Sequence, residues 1–338
     1  MLLVRPARIA DIDDLLELSH IAGSGMTSLP PEREILLKKI QRSLASFTHD
    51  AFQREDYFLL VLEDTQNKKV IGTAGIYACT GSDQAFYAYR VTPANHYSHS
   101  LKRDVRAELL HLTNDYTDCS EIGTLFINGD YKGNGSWLAR SRYLLMAQFQ
   151  DRFCEHVIAQ IRGWLDTNNR SPFWDAIGQH FFEMDYNEAD RLCGTGSNQF
   201  ITELMPRHPI YTHLLPETAR ETIGMAHPAA ARARALLEQE GFQYENLIDI
   251  FDGGPMLRAP IETIASIQRA HISEVSEATN LIHTESLLVT NTQLGGYRAV
   301  KAIGQISEHG AVLLEPETIS ALNVTPGDAV QYIRLEEK

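Results

Sequence analysis

A mixed α/β (α+β) fold, with antiparallel and parallel strands in one central sheet flanked by helices, is predicted by three stretches of this 338-residue chain. Residues 57–63 and 70–77 are apolar, β-rich runs joined by a polar turn, the pattern of a hairpin. Residues 121–127 form another such run, which passes through Gly133-Asn134-Gly135 into a helical pattern before residues 157–161 return to strand character. That is a β-α-β unit. A hairpin pairs its strands antiparallel and a crossover pairs them parallel, so the sheet is mixed and a doubly wound dinucleotide fold is disfavoured.

The remaining elements follow in order. Residues 2–5 read as a short strand, and Asp11 then stands as an N-cap before a helix with Ile12, Leu15 and Leu16 on one face. The helix after Gly135 carries Leu138, Leu145 and Phe149 at helical spacing. Residues 164–225 hold aromatic and proline-rich pieces with little periodicity and read as a large insertion. His227-Pro228 starts a helix with Ala230, Ala233 and Leu237 on one face, Gly241 closes it as a C-cap, and residues 247–251 read as a strand. From about Ile261 the pattern becomes short β-rich runs, including 287–289, 297–303 and 330–335. The organisation expected is a domain over 1–258 with its insertion at 164–225, then a small β-rich domain over 259–338.

Composition narrows the function. Hydrophobic residues at 43% and charged residues at 22% suit a folded, water-soluble chain. The start meets Arg5 at once and shows no signal peptide or membrane span, so cytoplasmic residence is expected. The net charge of −14 repels nucleic acid and anionic membranes. Cys79, Cys119, Cys154 and Cys193 lack C-x-x-C spacing, which fits reduced thiols better than disulfides or a zinc site. His96 with His99 has a spacing sometimes seen at metals, but no His/Cys/Asp/Glu cluster has convincing ligand spacing, and no metal is expected.

The glycine turn carries the chemistry. Glycines let backbone N–H groups approach a phosphate, and the N-terminus of the following helix favours negative charge, so a nucleotide-like ligand is the first hypothesis beside a plain tight turn.

The order of strand, helix, hairpin, strand, glycine turn, helix, strand, and a helix ending in Glu238-Gln239-Glu240-Gly241-Phe242 before a last strand resembles the GNAT acyltransferase superfamily. Further motifs, Thr27-Ser28-Leu29-Pro30, Ser171-Pro172-Phe173-Trp174, Cys193-Gly194-Thr195-Gly196, Glu203-Leu204-Met205-Pro206, His208-Pro209-Ile210-Tyr211 and Ile248-Asp249-Ile250-Phe251-Asp252-Gly253-Gly254-Pro255, are similar to those of arginine N-succinyltransferases over nearly the whole chain. The resemblance implies transfer of a succinyl group from succinyl-CoA, a co-substrate rather than a tightly bound cofactor, to the α-amino group of L-arginine in arginine catabolism. It also implies a homodimer or a hetero-oligomer with a homologous subunit, since some relatives act on ornithine too and occur as paired, unlike subunits. An assisting, non-catalytic subunit, or an acyltransferase with another amine acceptor, is the alternative.

Site residues follow from the same comparison. Leu125 matches a succinyl-CoA-binding position, Leu125 and Ile127 can pair with the pantetheine amides, and Gly133 and Gly135 can cradle the pyrophosphate, although Leu125 and Ile127 also suit plain sheet positions. The superfamily prefers Arg or Gln where this chain has Asp130, a loss that weakens the phosphate argument and that Lys132, Arg140 or Arg142 could offset, although each also suits a solvated charge on a turn or helix. His227 matches the family's proton-transferring histidine, a proton shuttle between amine and thiolate. Its other reading is a plain cap before Pro228, and His208 is a competing His-Pro. Glu203, Asp249 and Asp252 are candidate partners of a substrate guanidinium.

Overall fold

The computed structural model describes residues 1–23, 26–82, 84–194 and 199–335. β1 (Leu2–Pro6) leads to α1 (Ile12–Ala22) and α2 (Arg33–Ser46). Asp11 stands at the start of α1 without capping it, because its carboxylate accepts from the Arg5 guanidinium at 2.8 and 2.9 Å and from the Arg8 N–H at 2.7 Å. The expected hairpin is β2 (Tyr57–Asp64) with β3 (Lys69–Tyr77), and a longer hairpin, β4 (Ala88–Ser98) with β5 (Arg103–Thr113), follows it. β6 (Ser120–Ile127), α3 (Gly135–Gln148) and β7 (His156–Gln160) make the crossover.

The insertion is mostly helical: α4 (Pro172–Ala176), α5 (Gly178–Phe182), α6 (Tyr186–Gly194), α7 (Gln199–Leu204), a two-residue β8 (Ile210–Tyr211) and α8 (Glu217–Thr222). These pieces build a second core around Trp174, stacked 5.4 Å from both Phe182 and Phe251. α9 (Ala231–Gln239), β9 (Gln243–Ile248) and β10 (Pro255–Pro260) return the chain to the sheet. The strand expected at 247–251 therefore ends at Ile248. Ile250 and Phe251 are buried in the second core from within a turn whose N–H groups are taken by Asp249 and Asp252.

Ten strands lie side by side in the order β1, β2, β3, β6, β7, β10, β9, β4, β5, β8, and every pair is antiparallel except β6 with β7. The mixed sheet expected from the sequence is the one found. After α10 (Ala265–Gln268), β11 (His271–Glu277), β12 (Glu285–Asn291), β13 (Ala299–Ile306), β14 (Val312–Leu314) and β15 (Ala329–Arg334), with α11 (Pro316–Leu322) between the last two, form a closed ring. In it β13 pairs with β12, β12 with β15, β15 with β11, β11 with β14, and β14 with β13. Val275, Leu287, Val289, Val300, Val312 and Val330 pack in one apolar cluster of this ring. The ring meets the main sheet where Ala299 faces Val4 of β1.

α3 is buried on nearly all sides because sheet and ring both cover it: Trp137, Leu138, Tyr143, Leu144, Leu145 and Met146 are buried, and the Tyr297 hydroxyl donates to the Ser141 carbonyl at 2.6 Å. Just beyond α3, Arg152 is 1% exposed and donates to the Asp56 carboxylate at 2.8 Å and to the carbonyls of His49 and Ser46. No helix of the described residues is long and apolar enough to cross a membrane.

Candidate functional site

The parallel pair β6 and β7 is in register only at Ser120 with Val157 and Glu121 with Ile158, after which the two strands part. The backbone of β6 from Ile122 onward is thereby released from that neighbour, and a wedge opens between the strands. A bulge on β6 shapes the wedge. Phe126 pairs with Thr73 and Gly123 with Gly75, so Thr124 and Leu125 together oppose Ala74.

Thr124 takes the left-handed φ of 53°, uncommon for a β-branched residue, and two side chains hold it there. Its hydroxyl meets the Tyr57 hydroxyl at 3.1 Å, and its carbonyl accepts from the Thr73 hydroxyl at 2.7 Å. Gly75 makes room for this arrangement, since a Cβ there would lie 2.8 Å from Thr124 Oγ1 and 3.0 Å from the Tyr57 hydroxyl oxygen. The next residue, Leu125, is half-buried on the main core with Ile127.

At the far end of β6 the turn closes on itself. Asn128 Oδ1 accepts from the Asp130 N–H at 3.1 Å, and Gly133 adopts φ 99°, a conformation that favours glycine. Gly135 is the first residue of α3. Asn134, at the cap position, spends its side chain elsewhere: Nδ2 donates to the Tyr131 carbonyl and Oδ1 accepts from the Trp137 indole, both at 2.9 Å. The first N–H groups of α3 have no side-chain cap and remain available to an anion. A cleft of about 370 Å³ beside this helix start is lined by Asn134, Trp137, Lys301 and Glu317.

The three candidate cations are placed differently. Lys132 is exposed at the turn. Arg140 pairs with Glu240 at 2.8 Å, which also accepts the Ser266 N–H, so it braces the end of α9 against α10. Arg142 is 3% exposed beneath β6 and donates to the carbonyls of Ala139 and Gly123, both at 3.2 Å, and its burial disfavours the charged form. It supports the strand where the wedge opens, away from the turn.

His227 lies across the wedge, beside the continuation of β7. Its N–H donates to the Arg162 carbonyl at 2.8 Å, and its neighbour Ala226 bridges Gly163. Nδ1 accepts from the Ala229 N–H at 3.1 Å, so the neutral ring carries its proton on Nε2. Burial, and then the charge of Arg162, hold its pKa below the ordinary histidine value.

Asp252 fixes this arrangement. Oδ2 accepts from the Gly163 N–H at 2.6 Å and Oδ1 from the Gly254 N–H at 2.8 Å, while Asp249 Oδ1 accepts from the N–H groups of Phe251 and Asp252. Both carboxyls are pushed up by burial. Asp249 and Asp252 thus serve the backbone of the turn. Glu203 is exposed on α7 with Gln199 at 2.7 Å, away from the wedge. Because an amide accepts at one atom only, Asp252→Asn is expected to leave one buried N–H unmet and to cost about 1–3 kcal/mol. Urea unfolding checks this, and a change below experimental error would sink the assignment.

Two carboxyls not singled out from the sequence complete the site. Glu121, where the strands part, accepts from Gln160 Nε2 at 2.9 Å and is pushed up to about 7 by burial. Asp190 of α6 is also pushed up to about 7 by burial and by Asp249. It lines a cavity of about 350 Å³ together with His20, Thr27, Pro30, Glu32 and Asn187, so the Thr27 to Pro30 motif borders this cavity. Thr195 and Gly196 of the Cys193 motif lie outside the described residues. His96, His99 and His208 are exposed, and no group of three or more potential metal ligands occurs among the described residues. Burial pushes Cys79 up to about 12 and Cys119 up to about 11, far from a reactive thiolate.

Comparison with known proteins covers the whole chain. Residues 2–266 match the family described as arginine N-succinyltransferase beta subunit, and residues 268–334 match the C-terminal domain of that subunit. Arginine N-succinyltransferases from Escherichia coli (strain 55989 / EAEC) and Shigella flexneri are each 39% identical over 343 residues, covering 100% of this chain and 99% of the relative. The solved structure of arginine/ornithine succinyltransferase subunit AI from Pseudomonas aeruginosa superposes with a TM-score of 0.90 at 34% identity, covering 100% of this chain and 99% of the other.

Proposed function

The chain belongs to the arginine N-succinyltransferase beta subunit family, and from that premise we propose that it transfers the succinyl group of succinyl-CoA directly to the α-amino group of L-arginine. The observation that carries this reading is the wedge between β6 and β7, with a bulge on one side, an uncapped helix start at its wide end and His227 opposite. We also propose the division at about 1–258 and 259–338, assembly with a second copy or a homologous subunit, and cytoplasmic residence.

In this mechanism the pyrophosphate of the donor lies on the N–H groups of Gly133 to Ser136, and the pantetheine arm runs along Leu125 to Ile127 as an added strand. The Leu125 N–H points its dipole at the thioester oxygen and stabilises the oxyanion as the amine attacks. The ammonium of bound arginine first gives a proton to Glu121, whose raised pKa makes it an effective base near neutrality. The new C–N bond then forms, the C–S bond breaks with its electron pair leaving on sulfur, and the second proton shed by the nitrogen passes to that sulfur to give the free thiol of CoA. His227, neutral with its proton on Nε2, donates a hydrogen bond to the developing negative charge. This narrows the shuttle expected from the family resemblance, because Nδ1 is already occupied by the Ala229 N–H. Suppressed cysteine thiols at 79 and 119 favour direct transfer over an acyl-enzyme.

The test is an assay of thiol release with succinyl-CoA and L-arginine, with mass detection of the product. Turnover is expected, and kcat should rise with pH through a midpoint near 7 as Glu121 loses its proton. In Glu121→Gln that limb should vanish. Absence of succinylarginine from folded protein would overturn the reading.

A further inference from the structure

The guanidinium of Arg162, immediately beyond the observed end of β7, makes no hydrogen bond or ion pair with any described residue, and its Nε is fully buried. Arg140, Arg152 and Arg258, by contrast, each hold a carboxylate at 2.8 Å. Burying such a donor unmet is costly, and five N–H groups in a planar fork suit a carboxylate held through two of them. Asp190 is close enough to feel its charge, yet closes no ion pair with it.

We propose that Arg162 anchors the α-carboxylate of the amino-acid acceptor, with the cavity bordered by Asp190 receiving the cation at the far end of the side chain. This rests on the acyltransferase reading above. In an α-amino acid the amine and the carboxylate share one carbon, so the carboxylate's partner must sit beside the residue acting at the thioester. Arg162 does: its carbonyl takes the His227 N–H at 2.8 Å, and its charge acts on the imidazole. The acceptor's side chain then carries its positive end away from Arg162, which repels it. The cavity of about 350 Å³ between the end of α1, Thr27 to Pro30 and α6 neighbours Arg162 through Asp190, which feels the Arg162 charge and stands with Glu32 in the cavity wall. The Asp252 bond to Gly163 holds the Arg162 backbone in place as a positioning contact.

Agmatine isolates the contact, because it keeps the amine and the guanidinium of arginine and lacks only the carboxylate. With succinyl-CoA as donor, the wild-type protein should favour arginine over agmatine by about 10²-fold in kcat/KM. Arg162→Gln should lose most of its arginine turnover and far less of its agmatine turnover, so that the ratio collapses, and Arg162→Lys should restore part of it. Asp190→Asn should lower both substrates alike, since both keep the guanidinium. Equal losses with arginine and agmatine in Arg162→Gln would overturn the proposal, whether they came from misfolding or from a displaced His227. No product from either acceptor with the wild-type protein would instead overturn the acyltransferase reading itself.

Discussion

His227→Ala is expected to lower kcat by about 10²–10³-fold, the usual loss when one donor to a developing negative charge is removed, with smaller changes in KM for either substrate. The ring's geometry decides what kind of loss this is. A backbone N–H can only donate, so Nδ1 is the acceptor in the contact with Ala229, and the neutral ring has Nε2–H to offer and no second lone pair. Burial and Arg162 both disfavour the imidazolium, which keeps the ring in that form at neutral pH. His227→Gln should therefore recover part of the lost rate, because an amide also donates, whereas a base would not be replaced by glutamine. The pH profile separates the roles further. If the limb near pH 7 disappears in His227→Gln and survives in Glu121→Gln, the two residues have been assigned the wrong way round.

Asp56→Ala is expected to cost about 3–5 kcal/mol of stability, because it strands a wholly buried guanidinium. Arg152 and Asp56 side chains are 1% and 3% exposed, and their contact at 2.8 Å joins the segment after α3 to the one before β2. Asp56 also accepts from His49 Nε2 at 2.9 Å and from the Gln53 N–H at 3.1 Å, so its loss removes three contacts at once. Urea unfolding of Asp56→Ala, Arg152→Met and the double variant measures the coupling. The double variant should recover much of the loss, since an apolar pair leaves no charge unsolvated. A single-variant loss under about 1 kcal/mol would mean that water reaches the pair in solution.

The elements that position the site were legible where one face of a strand or helix is buried. Residues 57–63, 70–77 and 121–127 gave themselves away as apolar runs, and Gly133 marked its turn because φ 99° suits glycine. The long hairpin of β4 and β5 did not, because only Ala88, Tyr89, Ala107 and Leu110 of it are buried and the alternation that betrays a half-buried strand is absent. The bulge was also silent. Thr124 adopts a glycine-like conformation because Tyr57 and Thr73, distant in sequence, hold it, and no local pattern announces that. Asp249 and Asp252 could have been recognised as turn residues, since aspartates before Gly253-Gly254 commonly accept N–H groups of their own turn. Glu121, Arg162 and Asp190 draw their chemistry from burial and from neighbours brought in by three separate segments, and a linear sequence does not contain that information.

The closed ring of β11 to β15 has a further effect at the side of the sheet. A strand with one unpartnered side is a template for another polypeptide, and a ten-strand sheet has two such margins. At one, β8 is only two residues long, too short to recruit a neighbouring chain. At the other, β13 lies against β1, β12 takes up the opposite side of β13, and β14 continues on the side of β1. The ring thus acts as a stopper against sheet-to-sheet aggregation, and a polypeptide cut after residue 266 would expose β1 and be prone to it.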